Sequence, residues 1–228
     1  MAGPNELNRR ASEFDQYADD YLRLHEKNIA LSGEAPEYFS KYKIAVAARF
    51  LAQSDISLIL DFGCGIGSSM PYFINYFPHA KLVCADVSPR SLEVAMSRFP
   101  DCGAPLLITD NLINLPNSIV DLTFTACTFH HIPEQEHLQW LKELHRVTKK
   151  GGKLVLFEHN PLNPLTVRAV NTCPFDVNAK LLRANRLRQS ILDAGWQQAI
   201  VRYHVFFPHF MAAARPLELG LMWLPFGA

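Results

Sequence analysis

The run Leu58-Ile59-Leu60-Asp61-Phe62-Gly63-Cys64-Gly65-Ile66-Gly67 constrains the fold more than any other stretch of the chain. A short apolar segment carrying one aspartate gives way to three glycines at alternate positions. Such a segment reads as a buried strand, and the glycines as a tight turn into a helix. Glycine is needed where main chain takes left-handed angles, or where a ligand must touch backbone with no Cβ in the way. Strand, glycine turn and helix in this order predict a nucleotide-like ligand resting on main chain.

The rest of the chain extends that unit. Further strands are predicted at 81–86, 106–109, 120–126 and 153–158, alternating with helices. Ser88-Pro89 opens one helix with a capping hydroxyl and a proline in the first turn. A helix over 134–147 is expected to stop at Lys149-Lys150-Gly151-Gly152, where cations and glycines suit a helix end. A helix over 179–194 precedes a sixth predicted strand at 197–207. This alternation predicts an α/β fold: a doubly wound, mostly parallel, Rossmann-like sheet with helices on both faces. Residues 1–55, with Phe14, Tyr17, Ala18, Tyr21 and Leu22 at helical spacing, read as an N-terminal helical cap. Residues 56–228 read as the domain it covers.

Bulk properties narrow the partners. The 228 residues are 49% hydrophobic, enough for one domain with a substantial core. Lys plus Arg (22) equals Asp plus Glu (22), so the basic excess of a nucleic-acid binder is missing. No run is long and apolar enough to span a bilayer, and the polar opening 1–20 does not read as a signal peptide. Five cysteines, an odd number with no C-x-x-C pair, suit reduced thiols in a cytoplasmic protein better than disulfides or a zinc cage.

The glycine spacing is specific. In the dinucleotide fingerprint G-x-G-x-x-G the third glycine would fall at Ser68; here it comes one place early, at Gly67, and Asp61 stands two before the first. The pattern resembles the D-x-G-x-G-x-G loop of class I S-adenosylmethionine-dependent methyltransferases, and the resemblance covers about residues 57–158. It implies S-adenosyl-L-methionine as cofactor, held by Asp61, Gly63, Cys64, Gly65 and Gly67. It also implies that Asp86, with Val87, ends the second strand at the ribose, where a carboxylate matches a vicinal diol. Asp110 and Asn111 lie in a D-x-x-x-x-L-P segment, one residue longer than the family's adenine-binding D-x-x-x-L-P. The resemblance places them at the adenine amino group, backbone groups of Cys127 or Thr128 at the methionine amino group, and Tyr17 or Tyr21 over the methionine end.

Methyl transfer from a sulfonium needs alignment and exclusion of water more than a fixed catalytic set. Acceptor-side candidates are therefore chosen by position: His130 and His131 after strand four, Glu158 and His159 after strand five. A histidine near its ordinary pKa can take a proton from an acceptor hydroxyl or ammonium. Paired histidines also suit a metal, but no neighbouring carboxylate or cysteine completes a ligand pattern, so no metal is expected. The leading expectation is O- or N-methylation of a small molecule by in-line displacement. A nicotinamide oxidoreductase and a non-catalytic S-adenosylmethionine-binding module are the alternatives. The family adds a seventh, antiparallel strand between strands five and six. Here a short 222–226 segment, a shortened sheet or a neighbouring copy would have to answer for it. The apolar tail 209–228 is expected to pack on the core, with homodimerisation or an acceptor lid as alternatives.

Overall fold

The computed structural model describes residues 11–228; residues 1–10 of the expected cap lie outside it. After a helical turn over 11–15, helices α1 (Tyr21–Ile29) and α2 (Pro36–Phe50) lead into β1 (Leu58–Phe62). Then follow α3 (Met70–Tyr76), β2 (Lys81–Asp86), α4 (Pro89–Arg98), β3 (Ala104–Leu107), β4 (Val120–Ala126), α5 (His137–Val147) and β5 (Thr148–Phe157). Helices α6 (Pro164–Thr172) and α7 (Ala184–Asp193), a 3-10 segment (His209–Leu217) and the short α8 (Glu218–Leu221) complete the chain.

The strands form one parallel sheet in the order β3-β2-β1-β4-β5. Side chains of β1 alternate between two cores. Leu60 and Phe62 pack with Trp140, Leu141 and Leu144 of α5 and with Leu187 of α7. Ile59 packs on the other face with Ile44 of α2, Met70 and Phe73 of α3, and Ala95 of α4. Burial on both faces is why these strands read as nearly continuous apolar runs. Each large buried side chain, Phe73 and Phe124 among them, contributes roughly 1.5–3 kcal/mol. The strand order reverses between β1 and β4, so the carboxyl ends of these two strands open a crevice suited to a ligand.

Local departures from the sequence expectation have local causes. The Lys149–Gly152 stretch is not a helix stop but the start of β5. The Thr148 hydroxyl donates to Leu144 O and pairs with Thr123, so the chain turns straight from α5 into the sheet. A register shift there is accommodated by Gly151 at φ +83° and by Gly152, where a Cβ would lie 2.7 Å from Thr148 Cγ2. Helix α7 begins at Ala184 rather than at 179, and β3 at Ala104 rather than at 106.

The sixth strand does not form. Residues 197–207 leave the sheet, and their backbone meets the tail instead: Tyr203 N–H donates to Met222 O at 2.8 Å, and Ala228 N–H to Val205 O at 3.3 Å. No sixth or seventh strand exists among the described residues. Nor is the tail seated by its apolar side chains; Phe210, Leu217, Trp223 and Phe226 are exposed. Polar pins hold it. Buried Glu218 accepts from Phe206 N–H, Phe207 N–H and Tyr42 Oη. Asn160 Nδ2 donates to Pro225 O and Gly227 O.

His204 sits under this tail, against Tyr42 Oη at 3.3 Å. Burial, helped by the Arg202 charge, pushes its pKa down to about 4. The folded state therefore resists protonating His204 while the unfolded chain accepts the proton near 6.5. Stability from this residue is complete above that value and is lost as pH falls towards 4. Urea midpoints should fall between pH 7 and 5, and fall less in His204→Gln; parallel declines in the two proteins would contradict this.

Candidate active site

The crevice at the β1–β4 switch opens into a cavity of about 980 Å³. Its floor is the glycine loop, and the three glycines are there for two different reasons. A Cβ on Gly63 would meet the Thr128 side chain at 2.4 Å, and one on Gly67 would meet Met70 Sδ at 2.5 Å. Those two permit packing. Gly65 (φ +53°) lines the cavity, and a Cβ there would meet nothing within 4 Å; it would project into the space a ligand needs. The loop is sewn to β2 by Gly63 N–H and Cys64 N–H, both donating to Ala85 O.

Two carboxylates flank this floor. Asp86, at the end of β2, accepts Gly65 N–H on Oδ2 at 2.8 Å and Ser88 N–H on Oδ1 at 2.9 Å. Burial raises its pKa, opposed by these backbone donors. Each oxygen keeps a lone pair for a further donor. Asp61, next to last in β1, is buried at 2% exposure, and its Oδ2 has no protein partner. Burial, reinforced by the Asp86 charge, lifts its pKa to about 7, with Lys43 pulling the other way. A buried carboxylate oxygen left in this condition suits a cationic or N–H-bearing ligand group.

The ends of β4 and β5 supply an adjoining wall. Glu158 is fully engaged: Oε1 accepts Thr128 N–H (3.0 Å) and Phe129 N–H (2.6 Å), while Oε2 accepts His130 Nδ1–H (2.6 Å). Burial alone would lower the His130 pKa, but Glu158 and Asp176 outweigh it and raise it to about 10. His131 is held below its ordinary value by burial, despite nearby Asp176. Cys127 (φ +56°) accepts Lys43 Nζ–H at 3.1 Å. Burial would raise its thiol, yet His159 and Lys43 bring it down to about 6. Above, Tyr21 stacks on Phe175 (4.6 Å between ring centroids), with Tyr17 edge-on to the same ring.

Most of the expected residues meet in this one cavity: Tyr17, Asp61, Gly63, Cys64, Gly65, Asp86, Val87, Cys127, His130, His131, Glu158 and His159. Gly67 does not line it. Asp110 and Asn111 lie elsewhere, beside a separate depression with Gln139 and Arg146. Both take positive φ (55° and 56°), and Leu112 N–H donates back to Thr109 O, so they form the tip of a tight turn. Asp and Asn are the residues such a turn demands, and the extra residue before Leu115-Pro116 is spent on it. Ile108, just before the turn, lines the cavity in their place. Thr128 lines it as expected, and Lys43 and Asp176 line it although nothing in the sequence marked them. Lys43 carried no signal, being one cation on an amphipathic helix. Thr128 lay inside the segment already noted at the end of β4.

Residues 59–152 match the family model described as a methyltransferase domain. A malonyl-[acyl-carrier protein] O-methyltransferase of Herminiimonas arsenicoxydans is 27% identical over 58% of this chain and 50% of that protein. A demethylmenaquinone methyltransferase of Thermobifida fusca is 30% identical over 68% of this chain and 64% of that protein. Other matched relatives are named as RNA methyltransferases. The chain spans about half or less of the length of the first curated relatives it matches. A crystal structure of a SAM-dependent methyltransferase from Thermotoga maritima shares the fold, with TM-score 0.65, 20% identity and 86% of each chain covered.

Proposed function

We propose that the cavity of this chain, whose residues 59–152 match a methyltransferase-domain model, binds S-adenosylmethionine and presents its methyl group to an oxygen or nitrogen of a small-molecule acceptor. The observation that carries the reading is the presence in one cavity of two buried carboxylates, Asp61 and Asp86, and the bare backbone of Gly65. A nucleoside with a cationic arm matches that arrangement: a diol for Asp86, a bare surface at Gly65, and a positive group for Asp61. Val87, Ile108 and Ile132 give the base apolar walls. When bound, the donor supplies an electrophilic methyl on a sulfonium, so the protein's work is alignment and exclusion of water.

The acceptor side follows from which groups remain available. Glu158 holds the Thr128–His130 turn through three hydrogen bonds, which makes it a positioning residue. His130 is held protonated between carboxylates and is a poor base. His131 and His159 are left to take a proton from an acceptor hydroxyl or ammonium. The Tyr17–Tyr21–Phe175 roof limits the size of what enters, and the net charge of zero supplies no overall basic excess for a nucleic-acid backbone.

Calorimetry with S-adenosylhomocysteine and with NAD tests the donor. The expected result is binding of the former alone, weakened at least tenfold, about 1.4 kcal/mol, in Asp86→Ala. Binding of NAD without S-adenosylhomocysteine would favour the nicotinamide reading, and unchanged affinity in the variant would remove Asp86 from the ribose. Turnover against a panel of hydroxyl and amine acceptors separates an enzyme from a non-catalytic binding module.

A further inference from the structure

Within the acceptor wall, three potential ligand atoms from two distant parts of the chain converge, and a bound cation would replace the proton that His130 Nε2 otherwise carries. His130 Nε2 lies 3.6 Å from Asp176 Oδ1, and His131 Nε2 lies 3.3 Å from the same oxygen. The three ligand atoms all lie within 4.8 Å of one another. These separations are long for hydrogen bonds, whose N···O distances centre near 2.9 Å. They match the spacing of about 3.3 Å between ligands of a tetrahedral ion with metal–nitrogen bonds of about 2.0–2.1 Å. We propose that His130, His131 and Asp176 form a two-histidine, one-carboxylate site for a divalent transition-metal cation such as Zn²⁺, with its open position facing the acceptor cavity.

A second, independent arrangement supports it. Glu158 Oε2 accepts the Nδ1 proton of His130 at 2.6 Å, which fixes the ring and leaves Nε2 as the atom facing Asp176. A carboxylate behind a ligating histidine is the usual means of orienting it and raising its basicity. Glu158 is itself locked by the N–H groups of Thr128 and Phe129. Phe14 packs edge-on against the His131 ring, with centroids 5.0 Å apart, and holds that ligand from the other side. All three ligands are buried or nearly so, with His131 most open at 13%, and all three line the cavity. Three protein ligands with one side open is the pattern of a site that takes a substrate atom as its fourth ligand.

The proposal deepens the methyl-transfer reading and rests on it for the identity of that fourth ligand: a hydroxyl, thiol or carboxylate on the acceptor. It assigns the missing carboxylate to the Cys173-Pro174-Phe175-Asp176 turn, which follows α6 and is far from the histidines in sequence. His159, whose ring centroid is 5.1 Å from that of His130, then remains as the base beside the site.

The test reads metal binding directly, in the full chain without donor or acceptor, so its failure is distinguishable from failure of donor binding. Co²⁺ is titrated into chelator-treated protein and followed by its visible d–d absorption, with Zn²⁺ as competitor and inductively coupled plasma analysis for stoichiometry. One equivalent per chain is expected, with the intense visible bands of a four-coordinate nitrogen–oxygen site and no sulfur-to-cobalt charge transfer. Asp176→Asn and His131→Gln should each weaken binding at least a hundredfold. Melting curves identify either variant if it fails to fold, and the other then decides. Absence of one-to-one binding, a thiolate signature, or affinity unchanged in a folded variant would overturn the assignment.

Discussion

Asp61→Asn makes the donor-free protein more stable while weakening donor binding. Asp61 is buried at the cavity floor with one oxygen unpartnered, and its folded pKa is raised to about 7 by burial and by Asp86. A raised carboxylate pKa means that the folded state holds the proton more tightly than the unfolded chain does. The residue costs nothing below about pH 4, becomes progressively destabilising as pH rises, and reaches its full cost above pH 7. An unsatisfied buried group of this kind costs about 1–3 kcal/mol. Removing the charge should therefore raise the melting temperature by several degrees at pH 8, at about 2–4 °C per kcal/mol for a chain of this size, and leave it nearly unchanged at pH 4.5. In the same variant, affinity for S-adenosylhomocysteine should fall by about tenfold or more, roughly 1.4 kcal/mol, if Asp61 is the counter-charge of the ligand's positive group as proposed. A gain in stability equal at both pH values, or none at pH 8, would show that Asp61 is satisfied in the free protein.

Glu158→Gln is expected to give a large loss of stability. Glu158 accepts two main-chain N–H groups and the His130 ring with its two oxygens, and its side chain is 7% exposed. The glutamine amide can keep at most part of this set and carries no charge to offset a buried imidazolium. Removing one partner of a buried ion pair typically costs about 3–5 kcal/mol, so the melting temperature should drop by on the order of 10 °C. The His130 titration, followed by NMR, should move down towards the ordinary histidine range. If the variant melts within about 2 °C of the parent, less than 1 kcal/mol by the same conversion, the carboxylate does not organise the turn. If Glu158 were the catalytic base instead, activity would fall with little change in melting.

Asp61 and Glu158 show how far sequence alone reaches. Asp61, Gly63, Gly65 and Gly67 lie in one short strand and turn, and the three glycines all take positive φ, so their spacing is readable from the local sequence. Asp86 was legible for a similar reason: it ends a strand that pairs with β1 in a simple parallel register, Asp61 opposite Cys84. Glu158 was legible as a position at the crevice but not as a role. Whether a carboxylate is free or spent depends on donors from another strand, here the amides of Thr128 and Phe129. Asp110 shows the opposite case. Its sequence resembles an adenine-binding segment, while in the structure it forms the tip of a turn at φ +55° beside a separate depression.

The sequence by itself determined the parallel α/β architecture, the strand-and-glycine floor and the acidic residue after β2. These are set by short-range periodicity and by angles that few residues can adopt. Tertiary structure decided the rest. It turned 197–207 away from the sheet, because its backbone groups pair with Met222 and Ala228 rather than with β5. It brought Asp176 against His130 and His131, giving the paired histidines the carboxylate that no neighbouring residue supplied. It also left Asp61 with a buried, unpartnered oxygen at the cavity floor. Burial and long-range proximity set the charge state and ligand capacity of such groups, and both properties belong to the folded chain rather than to any segment of it.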